Sequence, residues 1–97
     1  MPTFITLIHS THQGMQNIKQ SPSRLEAAKK AFKAMGGELK QFSLVMGQYD
    51  MVVIGEAPDD ETAAKLSLAI GSQGAIRTET MRAFTEEEYR KIVEALP

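Results

Sequence analysis

His9 and His12 stand three residues apart in His9-Ser10-Thr11-His12, Tyr49-Asp50 lies mid-chain behind a glycine, and Arg77 and Glu79 alternate in a later run. These side chains are the ones whose types could do chemistry. Two histidines and the Asp50 carboxylate are the donor set of a two-histidine, one-carboxylate metal site. Such a site needs three convergent ligands with oriented partners, and a loop histidine at this spacing is more often exposed, so no metal is assigned. Asp50 facing His9 would hold the imidazole in the tautomer of a general base. The stronger reading is that Asp50 satisfies the amides of a turn and His9 ends a strand. Tyr49 offers a phenolic hydrogen bond to a ligand, or packs over its hairpin with the hydroxyl in solvent. Arg77 could clamp a carboxylate, or pair with Glu79 on the same strand face for little net stability. Catalytic residues stay unassigned, and His9, His12, Tyr49, Asp50 and Arg77 are the ligand-pocket candidates.

The elements that must position them follow from local pattern. Phe4-Ile5-Thr6-Leu7-Ile8 is β-branched and apolar, a first strand that opens into a polar loop from His9 to Gly14. Ser21-Pro22 reads as an N-cap followed by proline at the first helical position. Leu25, Ala28, Phe32 and Met35 then recur at helical spacing until Gly36-Gly37 ends the helix. A second strand over Glu38 to Met46 and a third over Asp50 to Ala57 flank the turn Gly47-Gln48-Tyr49-Asp50, and Pro58 stops the pair. Asp59 caps a second helix with Asp60 and Glu61 in its first turn and Ala63, Leu66 and Ile70 on its inner face. Gly71-Ser72-Gln73-Gly74 turns the chain into a fourth strand, Ala75 to Phe84. Thr85 and Glu88 form a capping box for a terminal helix, with Phe84 and Tyr89 spaced as a hydrophobic staple and Ile92, Val93 and Leu96 continuing its apolar face.

That order predicts an α+β, ferredoxin-like βαββαβ domain over residues 1 to 97, with a four-stranded antiparallel sheet ordered 4-1-3-2, two helices on one face and an extra C-terminal helix. Strands one and three are apolar on both sides: Ile5 and Leu7 oppose Phe4 and Ile8, and Val52 and Ile54 oppose Met51 and Val53. The second apolar face needs a cover, and a second copy of the chain suits it better than the terminal helix, because a self-complementary sheet face fits a two-fold dimer. In this topology His9, Tyr49, Asp50 and Arg77 meet at one end of the sheet, with the His12 loop springing from the same place.

The turn Gly47 to Asp50 followed by Met51-Val52-Val53-Ile54 belongs to a longer series of segments. Pro58-Asp59-Asp60, Arg77-Thr78-Glu79-Thr80, Arg82-Ala83-Phe84-Thr85, and the earlier His12-Gln13-Gly14, Asn17-Ile18-Lys19 and Ser21-Pro22-Ser23-Arg24 complete it. Together they resemble the GYD domain family over most of the chain. The resemblance implies a small bacterial protein of the dimeric α/β-barrel type, in a family without an assigned reaction. By analogy with related dimeric α/β-barrel families, a cofactor-free oxygenase, isomerase or lyase would use His9 as base with Asp50 as its orienter.

Composition removes several classes. Eleven basic against twelve acidic residues, a net charge of -1, leave no basic footprint for nucleic acid or an anionic membrane. With no cysteine there is no disulfide, thiolate metal site or thiol nucleophile. No signal peptide or membrane-spanning run is present, so the expected location is the cytoplasm. Neither a phosphate-binding glycine motif nor a hydrolase motif occurs, and no cofactor is called for. The resulting expectation is a homo-oligomer, at least a dimer, that binds a small organic molecule between sheet and helices. The alternatives are a cofactor-free enzyme and a purely structural assembly module.

Overall fold

In a computed structural model, which describes residues 1–97, the chain folds as β1 (Thr3–Ser10), α1 (His12–Gln16), a 3-10 turn (Ile18–Gln20) and α2 (Ser21–Ala34). It continues as β2 (Glu38–Leu44), β3 (Met51–Glu56), α3 (Asp60–Gly71), β4 (Ile76–Ala83) and α4 (Glu86–Glu94). The four strands form one antiparallel sheet in the order β2-β3-β1-β4, the expected ferredoxin-like order read from its other edge. β1 and β3 are central, Ile5 opposite Ile54 and Leu7 opposite Val52.

Alternation divides the sheet into two unlike faces. Phe4, Thr6 and Ile8 of β1, Met51 and Val53 of β3, and Ile76, Thr78 and Thr80 of β4 line the space beneath α2 and α3. Phe4, Ile8, Met51 and Val53 are buried there, with Ala57, Ala63, Leu66 and Ala75. Gly55 of β3 has no side chain because the Phe32 ring of α2 occupies that place; an added Cβ would lie 2.7 Å from it. The opposite face presents Ile5, Leu7, Val52, Ile54 and Met81, and no element covers it.

The local signals hold at most element ends. The Asp59 carboxylate accepts the Thr62 amide at 2.8 Å, and the Thr85–Glu88 capping box forms in both directions. Four details differ from expectation. The polar stretch after β1 contains α1, in which the Gly14 amide donates to Thr11 Oγ1 at 3.1 Å; five residues are too few to display a helical period. Ser21 is the first residue of α2 and not its cap. The preceding 3-10 turn already places Ser21 in helical geometry (φ -54°, ψ -43°), where an extended conformation would be needed. β2 stops at Leu44, two residues early, because the Val45 amide pairs with the Asp50 carbonyl and closes a loop of Met46 to Tyr49, with Gly47 at φ 133°. Phe84 and Tyr89 do not close over each other: both rings are mostly exposed, and the Arg82 guanidinium lies 4.4 Å from the centre of Phe84.

The terminal helix is the least expected element. It is amphipathic, yet makes no extensive contact with the sheet or the other helices. Tyr89 is 61 % exposed and Leu96 64 %. The projection shows in the shape, whose long axis is 51 Å and whose radius of gyration is 14.5 Å, against about 12.5 Å for a compact chain of this length. So α4 does not cover the apolar sheet face of its own chain.

Candidate functional site

Two places carry chemistry, one on each side of the sheet. The first is the end of the open face. His9 of β1 lies opposite Arg77 of β4, and Leu7 opposite Glu79. Tyr49, from the loop before β3, stacks on His9 with ring centres 4.7 Å apart and planes tilted by 40°. Its hydroxyl donates to Glu79 Oε2 at 2.8 Å. That bond to a carboxylate, then partial burial, then the Glu79 charge raise the Tyr49 pKa above its ordinary 10.0, so the phenol keeps its proton and acts as a donor.

The structure therefore brings His9, Tyr49 and Arg77 to one end of the sheet but connects them differently from the expectation. Tyr49 does not leave its hydroxyl in solvent, and Arg77 makes no ion pair with Glu79, whose carboxylate is taken by the phenol. Asp50 neither orients His9 nor serves the amides of its own turn. Its Oδ2 accepts the Ser10 amide at 2.8 Å, while its own amide donates to the Ile8 carbonyl at 2.9 Å. Asp50 thus extends the β1–β3 ladder one step beyond its Ile8–Met51 pair, with a side chain standing in for a carbonyl. His12 is exposed at the start of α1 and joins none of them. No three His, Asp or Glu side chains come together as metal ligands would.

α1, which carries His12, is instead held at its N-cap, Thr11. Thr11 donates its amide to the Ala75 carbonyl at 3.0 Å and its hydroxyl to the Gly74 carbonyl at 2.6 Å. Gly14 presses so close that a Cβ would meet the Ala75 oxygen at 2.0 Å. This clasp ties the end of β1 to the turn between α3 and β4.

The second place is a cleft of about 160 Å³ between the helix-side face of the sheet and α2 and α3. Its walls are mostly apolar, from Leu25, Ala28 and Phe32 of α2 to Leu66 and Ile70 of α3. Its polar residues include Ser21, Arg24, Gln73 and Thr78, and three others join as a chain of hydroxyls. Thr6 Oγ1 and Thr80 Oγ1 are 3.1 Å apart, and Ser67 Oγ lies 2.8 Å from Thr80 Oγ1. None of His9, His12, Tyr49, Asp50 or Arg77 lines the cleft. The polar sheet end and the space between sheet and helices, expected to form one site, are separate. Glu79 and the three hydroxyls were missed as site residues. The alternation of Glu79 with Arg77 was a signal for the first, whereas no spacing in the chain announces a cluster drawn from two strands and a helix.

Comparison with known proteins follows this geometry. A family model described as "GYD domain" matches residues 4–93. A protein of Thermus thermophilus named "Glutamine synthetase and cystathionine beta-lyase binding protein" is 33% identical over 84 residues, 86% of this chain and 88% of that protein. The crystal structure of a Thermus thermophilus protein superposes with a TM-score of 0.56 at 25% identity, covering 88% of this chain and 95% of its own. A feast or famine regulatory protein of M. tuberculosis, complexed with L-methionine, superposes with a TM-score of 0.67 at 14% identity, over 88% of this chain and 51% of that one; it is similar in fold.

Proposed function

The chain belongs to the GYD domain family, and on that premise we propose that it is a self-associating, cytoplasmic protein-binding module. Two copies pack open sheet face on open sheet face as a dimeric α/β barrel, and the dimer docks on a metabolic enzyme. The observation that carries the reading is the uncovered apolar face of Ile5, Leu7, Val52, Ile54 and Met81, which α4 leaves bare. Burying on the order of 600 Å² across both copies at about 25 cal/mol per Å² gives about 15 kcal/mol, against roughly 4 to 15 kcal/mol of lost freedom on association. The sheet alone thus ranges from break-even to clearly favourable, and the apolar side of α4 from both copies supplies a further surface. His9, Tyr49, Glu79 and Arg77 fall at the border of this patch, as polar groups do around the dry centre of an interface. The enzyme partner is suggested by the relative named for binding glutamine synthetase and cystathionine beta-lyase.

Sedimentation at micromolar concentration should give a dimer or larger species, and Ile54→Asp, a charge at the centre of the face, should give a folded monomer. A wild-type monomer would sink the reading. Immobilised wild-type chain should also retain purified glutamine synthetase or cystathionine beta-lyase from the same organism.

The cleft favours a second reading, a small organic molecule held between sheet and helices, because its walls are apolar and already formed. The acid–base alternative would use the other oxygen of Asp50, since Oδ2 accepts the Ser10 amide.

A further inference from the structure

α2 has no buried residue, although Leu25, Ala28 and Phe32 all line the cleft. Protein interiors are close-packed, so apolar walls standing apart on both sides of an open space forgo contacts that a guest would restore. The space of about 160 Å³ is close to the size at which an engineered apolar cavity takes up benzene. A guest of that size is a single ring with a few substituent atoms.

The hydroxyls define its polar end. Thr6, Thr80 and Ser67 carry three hydroxyl protons among them, and their two mutual bonds use two, whichever way each bond runs. One O–H donor is left over, with spare lone pairs beside it. Ser67 and Thr80 also border a shallower hollow between α3 and β4 that contains Phe4, so the hydroxyls stand where the cleft reaches the surface. No carboxylate or lysine lines the cleft. Its one charged residue, Arg24, donates to the Asn17 carbonyl at 3.2 Å in an exposed position. A charged guest would give up its hydration without a buried counter-ion, which is strongly unfavourable.

Resting on the reading that this cleft takes a small molecule, we infer that its ligand is a neutral, ring-sized apolar compound with one hydroxyl or carbonyl oxygen, held by the linked hydroxyls of Thr6, Thr80 and Ser67. The ring lies beside Phe32, in the space enclosed by α2, α3 and the sheet, and its oxygen completes the hydroxyl chain.

Titration calorimetry of the full chain with benzene, phenol and benzoate tests this. Phenol should bind about 2- to 10-fold tighter than benzene, the worth of one net hydrogen bond, and benzoate should not bind. The triple variant Thr6→Val, Ser67→Ala, Thr80→Val should bring phenol down to the affinity of benzene and leave benzene unchanged. The replacements suit their elements, alanine in a helix and a β-branched residue in a strand, so the fold is retained. Ala28→Leu, which fills the cleft, should abolish binding of both. If wild-type protein binds neither phenol nor benzene, the small-molecule reading falls and the inference with it. If both bind but equally, or phenol keeps its advantage in the triple variant, the cleft reading stands and the hydroxyl anchor is wrong. Binding that survives Ala28→Leu would place the guest elsewhere and overturn the inference.

Discussion

Replacing Thr85 by alanine removes the oxygen that accepts the Glu88 amide at 3.2 Å, while the reverse bond from the Thr85 amide to Glu88 Oε1 at 2.9 Å keeps both its atoms. Loss of a threonine N-cap costs about 0.5 to 2 kcal/mol of helix stability. How that loss appears depends on where α4 rests. α4 has nine residues, and isolated helices below about 12 residues are marginal in water, so an undocked α4 would fray without disturbing the sheet. In the proposed dimer each α4 contributes to the assembly, and two caps are lost per dimer. Dimer stability should then fall by about 1 to 4 kcal/mol, a rise of roughly 5- to 800-fold in the dissociation constant. Hydrogen exchange should rise first at the amides of Tyr89 to Val93, and sedimentation over a concentration series should show dissociation at higher protein concentration than in the wild type. Unchanged exchange in α4 would show that Thr85 is not the cap. Faster exchange with an unchanged dissociation constant would show that α4 takes no part in the assembly.

Gly14→Ala should destabilise by roughly 1 to 3 kcal/mol, because its Cβ would meet the Ala75 carbonyl oxygen at 2.0 Å; an unaltered urea midpoint would mean that the α1 clasp yields freely. Asp50→Ala should cost about 1 to 3 kcal/mol by leaving the half-buried Ser10 amide without its acceptor, and the loss should appear in thermal unfolding with no metal or substrate present; no loss would free Asp50 for a ligand role. Asp59 and Glu88 are held below their ordinary 3.8 and 4.5 chiefly by the Thr62 and Thr85 amides. A lowered folded-state pKa gives stability that is complete above the unfolded value and lost as pH falls through the folded one. Urea unfolding should therefore be flat in these groups above about pH 5 and weaken below about pH 4, and Asp59→Asn should reduce that slope; an identical slope would show the cap contributes nothing. Tyr49 runs the opposite way. Its raised pKa gives a contribution present below about pH 10 and lost above it, so Glu79→Gln should reduce the alkaline loss.

What the sequence determined by itself lies within a few residues of each signal. Asp59 with Thr62, and Thr85 with Glu88, are partners three residues apart, and a backbone that enters a helix there has no other geometry to offer them. Alternation along Phe4 to Ile8 and Met51 to Ile54 assigned both faces of the central strands, and the order of strands and helices left one sheet topology to adopt. The tertiary structure decided whatever depends on register between distant segments. Asp50 finds the Ser10 amide 40 positions away, and Tyr49 finds Glu79 30 positions away. Each displaced a partner that the sequence offered, His9 for Asp50 and the nearby Arg77 for Glu79. The cleft depends on how far α2 stands from the sheet, which Phe32 seated over Gly55 helps to set, and its hydroxyls come from Thr6, Ser67 and Thr80 on three elements. No spacing along one chain segment encodes such a meeting, because it exists only once strand pairing has brought β1 beside β4 and packing has laid α3 across them.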